Sequence, residues 1–175
     1  MTIQKNEKWS HRFINAAIIQ SVLAAIWTLP IVMPWIKPSV AMVMAAGSAG
    51  TWFTVGYVLY IIVGVIGNAV IGLIYQHFEA VEGKTVSGIS NVLAWIQLIL
   101  FNVGVIASTW ALMIAGYFGE ADLLPPAVGG KGLTEGQVHV LFLSHFVEPV
   151  GIFVIITILG VIVGAIALLS VSFKK

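Results

Sequence analysis

The sequence contains no cysteine and very little charge: of its 175 residues, 9% are Asp, Glu, Lys or Arg. Without cysteine there are no thiolate metal centres, iron–sulfur clusters, thiol relays or disulfides. The shortage of charge excludes an ordinary water-facing surface, which belongs to chains with about a quarter of their residues charged. It also excludes intrinsic disorder, which needs low hydrophobicity and high charge. A net charge of +1 leaves no electrostatic footprint for nucleic acid. What the chain has in quantity is apolar surface. Hydrophobic residues make up 59%, and the mean hydropathy is +1.05. These values describe a small integral membrane protein, with the lipid bilayer as its first partner, and not a free-standing soluble enzyme.

A helix crossing the hydrocarbon needs ~20 mostly apolar residues. Four stretches meet that length, at residues 13–36, 50–78, 91–118 and 136–173. The expected fold is all-α, an integral membrane four-helix bundle, with residues 1–175 as a single transmembrane domain. The apolar piece 40–46 is too short to span and is expected along the interface or in a re-entrant turn. The first residues do not read as a secretory signal. A polar stretch precedes an apolar run too long for a signal core, and no small-residue cleavage site follows. Pro30 and Pro34 remove backbone donors and are expected to kink or end the first span.

Lysine and arginine favour the cytoplasmic side. With four spans, one side carries both termini and the loop between the second and third spans. That side holds Lys5, Lys8, Arg12, Lys84, Lys174 and Lys175; the other holds Lys37 and Lys131. Both termini are therefore expected in the cytoplasm, and the chain in the plasma membrane. Trp9, Trp35, Trp52, Tyr75, Trp95 and Tyr117 stand near span ends, where amphipathic rings anchor at headgroup level. Trp27 and Trp110 lie deeper and are expected to pack on neighbours or a ligand. Gly56, Gly64, Gly67 and Gly72 on the second span, and Gly160 and Gly164 on the fourth, permit close helix approach. The approach is to another span of this chain or to a partner.

Gln20, Asn68 and Asn102 lie at similar depth on three spans, given ~1.5 Å of rise per residue. They read as interhelical glue, or as a polar layer that holds a cofactor edge or a water path. Asn91, Trp95, Leu98, Asn102, Val105 and Thr109 run along one stripe of the third span, taken as its inward face.

Ionisable residues at membrane depth are costly and mark candidate sites. The richest segment is 135–149, with His139, His145 and Glu148. His145 and Glu148 are three apart and share a helix face. Imidazole and carboxylate there form a half-site for a transition metal, or a pair in which the carboxylate fixes the imidazole tautomer. His139 is about 120° around and ~9 Å along, and joins that site only if the helix bends. A full helix over 136–173 would be ~55 Å long, so the 139–148 segment is expected at or beyond the outer interface. His11 and His77 stand at the opposite edge on different spans, a pair that reads either as axial haem ligands or as solvated interfacial side chains.

Two segments carry a resemblance: Gly64-Val-Ile-Gly-Asn-Ala-Val-Ile-Gly72-Leu-Ile-Tyr75 and Asn91-Val-Leu-Ala-Trp95-Ile-Gln-Leu-Ile-Leu-Phe-Asn102-Val-Gly104. They resemble a helix pair in subunit I of haem–copper oxidases and in small four-helix proteins related to it. The resemblance covers roughly a third of the chain. It implies a haem-related ancestry. The family's His-x-His ligand pair is absent, because the matching stretch reads Tyr57-Val-Leu59. Ligands for haem b or for a transition metal would then come from His145, His139, His77 or His11, with Glu148 as a metal ligand.

Two functions follow as expectations. The first is an accessory or structural subunit of a membrane respiratory or oxidase-type complex, with other membrane subunits or copies of itself as partners, a haem- or metal-related site near the outer face, and no catalysis alone. The second is a small membrane cytochrome b-type or metal-binding electron-transfer protein. A channel or transporter is poorly supported, since four helices leave little room for a pore and no broken-helix pair is present.

Overall fold

The structure, a computed structural model, describes residues 8–173. Lys5, Lys174 and Lys175, which weigh in the charge count, lie outside the described residues. Helix α1 spans Lys8–Val32, α2 Val40–Ala46, α3 Gly50–Val81, α4 Ile89–Leu123 and α5 Glu135–Ser172. A 3₁₀ turn, Pro126–Val128, interrupts the connection from α4 to α5. The described residues contain no strand. All but α2 are long and apolar enough to cross a membrane. Their outward surfaces carry Ile, Val and Leu, as lipid-facing helices do.

Helix α1 is already formed at Lys8, the first described residue and earlier than hydropathy suggests, and ends at Val32 with Pro30 inside it and Pro34 beyond it. Its buried residues Trp9, Phe13, Ala17, Gln20 and Ala24 follow the α-helical period. They meet α3, which runs antiparallel: Phe13 stacks on Tyr75 at 5.4 Å between ring centres, and near the other end Thr28 Oγ1 lies 2.6 Å from Tyr57 Oη. Helix α2 is a short packed helix. Ser39 accepts from the Met42 N–H at its start, and Val40 and Val43 turn inward.

Helix α3 changes its winding. Gly56, Tyr60, Gly64, Asn68 and Gly72 are all buried and fall four apart, longer than the 3.6-residue α turn. An unbroken α-helix would carry such a row off the core face. The wider π turns at Tyr60–Ile66 take up the difference. A second π segment, His77–Val81, ends α3, and a third, His139–Leu143, lies near the start of α5.

Helix α4 is the centre of the bundle. Its most extensive partner is α5, and α3 packs on its other side. A Cβ added to Gly160 of α5 would sit 2.7 Å from the Phe101 nitrogen of α4, so the two backbones are nearly in contact. Gly164 likewise abuts the Gln97 side chain, and Gly104 abuts Thr157. The small-residue face of the fourth span therefore meets this chain's own third span. The inward face of α4 is wider than a single stripe. Ala94, Gln97, Phe101, Gly104 and Ser108 are buried beside Val105 and Thr109, whereas Trp95 is exposed. Helices α1 and α4 touch little, which leaves a groove between them.

Candidate functional site

The three amides at similar depth converge in the interior. Asn102 Oδ1 accepts from Gln20 Nε2 and from Asn68 Nδ2, each at 2.9 Å. Asn102 Nδ2 donates to Asn68 Oδ1 at 3.1 Å and to the Leu98 carbonyl at 2.9 Å. Asn68 Nδ2 also donates to the Gly64 carbonyl at 2.6 Å. Asn102 thus uses its full hydrogen-bonding capacity, with three of its four bonds tying α1 and α3 to α4. Gln20 Oε1 is buried without a hydrogen-bond partner among the described residues. Trp27 and Trp110, expected to be deep, pack edge to face at 5.6 Å.

Interhelical polar bonds in membranes average ~0.6 kcal/mol and reach ~1.7. Asn102→Leu removes three of them and strips both partners, so a loss of about 2 kcal/mol is expected in unfolding titrations with SDS. Gln20→Leu removes one bond and an orphaned acceptor together, so it should fall within about 0.6 kcal/mol of wild type. Equal losses in the two variants would refute Asn102 as the hub.

Two carboxylates are buried, Glu79 at 2% exposure and Glu120 at 4%. Glu79 accepts from the Trp9 N–H at 3.1 and 3.2 Å and from the Ser10 N–H at 3.1 Å. Glu120 accepts from the Gly50 N–H at 3.0 Å. Each stands in the last turn of its own helix, where the helix dipole disfavours negative charge. Each meets the first turn of the antiparallel neighbour, whose N–H groups lack intrahelical acceptors. Glu79 closes the start of α1 and Glu120 the start of α3. Glu148, the acidic residue that the sequence pattern singles out, is exposed on α5, whereas Glu79 and Glu120 are buried. Sequence reasoning placed them just beyond the span ends. The signal that marks them is an acidic residue in a last helical turn, where a basic one is favoured.

At the same end as Glu79, Trp9 and Tyr75 are core residues, not headgroup anchors: Trp9 is 1% exposed and Tyr75 is 0% exposed. Trp9 Nε1 donates to Asn91 Oδ1 at 3.1 Å, and Tyr75 Oη donates to Gln97 Oε1 at 2.9 Å. The Arg12 guanidinium lies against the Trp9 and Trp95 rings, 4.3 Å from each centre, and the two rings meet edge to face at 5.2 Å.

The histidines stand apart from this interior. His77, at the end of α3, pairs with Glu82 at 3.1 Å. Lys84 binds Glu82 at 2.8 Å and donates to the Ser172 carbonyl at 2.5 Å, closing the end of α5. The Lys84 hydrogen bond, with the charges of Lys84 and His77, holds the Glu82 carboxyl below the usual carboxylate range. His11 is exposed on the first turns of α1. His139, His145 and Glu148 are all exposed along the first part of α5. His139 lines an open cleft of about 500 Å³ with Glu135, Ser48 and Trp52. Among the described residues, no three His, Asp or Glu side chains gather closely enough to hold a metal ion. The Tyr57 phenol on α3 is engaged with Thr28 Oγ1 of α1.

No family model matches the chain, and neither the curated proteins nor the solved structures provide a match.

Proposed function

We propose that the chain is an accessory, structural subunit of a membrane respiratory or oxidase-type complex, placed in the plasma membrane with both termini in the cytoplasm. The observation that supports this reading is the use made of the interior polar groups. Glu79, Glu120, Asn68, Asn102 and the Tyr75–Gln97 pair all join one helix of this chain to another. They hold a scaffold together and leave no reactive set among themselves. The oxidase-type assignment rests on the resemblance of α3 and α4, and the orientation on the lysine and arginine bias.

The exposed His139, His145 and Glu148 favour a second reading, a small membrane cytochrome b-type or metal-binding electron-transfer protein. Haem b or a transition metal held there would supply one-electron transfer. Its coordination would need a further ligand from outside this chain, either from another subunit or from a second copy.

Purification of the tagged chain from its native membrane in mild detergent separates the two. Stoichiometric co-migration with larger membrane subunits is expected, and the chain alone should show no Soret band or bound metal. Migration as a partner-free protein whose Soret band disappears in His145→Ala would replace the first reading with the second.

A further inference from the structure

The groove between α1 and α4 has a volume of about 390 Å³ and is lined by Arg12, Asn15, Ala16, Ile19, Gln20 and residues of α4 that include Leu98 and Ile106. Its chemistry is graded along its length. Arg12 stands at the basic end of the bundle. Its guanidinium carbon lies 4.3 Å from the centres of both the Trp9 and Trp95 rings, which meet edge to face at 5.2 Å, so the group rests against an indole corner. No described carboxylate lies within ion-pair distance of it, and its N–H donors are available to an anion. Asn15, three residues on, shares its helix face ~4.5 Å deeper. Ala16, Ile19 and Leu98 then form apolar walls. Gln20 and Asn102 lie about 12 Å below Arg12, and the groove runs on past them to Ile106. One N–H of the Gln20 amide is given to Asn102, and Gln20 Oε1 is buried without a partner. The charged group on the groove is Arg12, so an anion is favoured at that end.

We propose that this groove binds one anionic phospholipid, with its phosphate on Arg12, a glycerol ester carbonyl within reach of the Asn15 amide, and one acyl chain along the apolar walls. A planar guanidinium matches phosphate oxygens in two-point geometry, and cation–π contact with the Trp9 and Trp95 rings holds it in place before the lipid arrives. The volume admits about a dozen water-sized groups, enough for the upper part of an acyl chain. Negative lipid at a basic membrane face supplies the complementary charge. This site is independent of the subunit reading above, since it belongs to one chain alone.

The test uses the full chain, purified in detergent and exchanged into phosphatidylcholine micelles with or without phosphatidylglycerol. Native mass spectrometry should show one retained phosphatidylglycerol, preferred at least about tenfold over phosphatidylcholine. Arg12→Gln should abolish the preference, and Arg12→Lys should keep only part of it, because an ammonium lacks the planar fork. Ala16→Phe leaves Arg12 intact and fills the groove, so it should lose the lipid even if Arg12→Gln fails to fold. Lys8→Gln, at an exposed lysine of the same end, should keep the preference. Equal retention of the two lipids, retention of phosphatidylglycerol by Ala16→Phe, or an equal loss in Lys8→Gln would each overturn the proposal. An increase in melting temperature with inorganic phosphate alone, matching that with phosphatidylglycerol, would also overturn it by making the site one for a free anion.

Discussion

Replacing Glu79 by Ala is expected to destabilise the bundle by about 3–5 kcal/mol, because buried donors left without acceptors cost ~1–3 kcal/mol each. The Trp9 and Ser10 N–H groups belong to the first turn of α1, and both residues are buried. The positive end of the α1 dipole also loses its neutralising partner. Glu79→Gln keeps one acceptor oxygen and should lose roughly half as much. Glu120→Ala orphans the single Gly50 donor and should cost about 1–3 kcal/mol. The measurement is reversible unfolding in mixed micelles, followed by helical circular dichroism. The order Glu79→Ala, then Glu79→Gln or Glu120→Ala, is the signature of capping. A Glu79→Ala variant as stable as wild type would remove the cap from the description of the fold.

Gly160→Val is expected to be the most disruptive single substitution on α5, at about 3 kcal/mol, the upper end of overpacking costs. The added carbon would meet the Phe101 nitrogen at 2.7 Å and its Cα at 3.0 Å. These are backbone atoms of a helix and cannot rotate aside, so α4 and α5 must separate. They share the most extensive helix contact in the chain, and association in lipid depends on that packing. Gly160→Ala should cost about 1–2 kcal/mol by the same clash. Gly151 provides the control on the same helix, because a carbon added there meets nothing within 4 Å. Gly151→Ala should be neutral or stabilise by up to about 1 kcal/mol through helix propensity. Equal effects at the two glycines would mean that the close approach at Gly160 does not hold the bundle together.

The spans were legible because membrane insertion is a local demand. A crossing segment must pair its own backbone and be apolar for ~20 residues, and both requirements are written in consecutive residues. The depth of Gln20, Asn68 and Asn102 was legible for the same reason, since rise per residue converts position into height. Their convergence was not, because it depends on how each helix is rotated. In a soluble helix the polar face declares that rotation. Here the lipid is as apolar as the core, so the outer and inner faces of α3, α4 and α5 read alike. For that reason Trp9 and Tyr75 were taken for anchors when they are buried, and the inward face of α4 was drawn too narrowly. The histidines and Glu148 stood out in sequence by their rarity, and the structure places them on the exposed surface of α5 or at helix ends.

The sequence by itself determined that this is a membrane-type helical protein, how many helices can cross, and where each runs. Composition and run length carry that information because the bilayer imposes it one segment at a time. The tertiary structure decided which polar groups meet. It set Glu79 and Glu120 against the open N–H groups of neighbouring helices, closed the three amides around Asn102, and turned the Gly160 face onto α4. Each of these is a pairing between residues far apart in the chain, made by helix rotation and register, to which local hydropathy is blind.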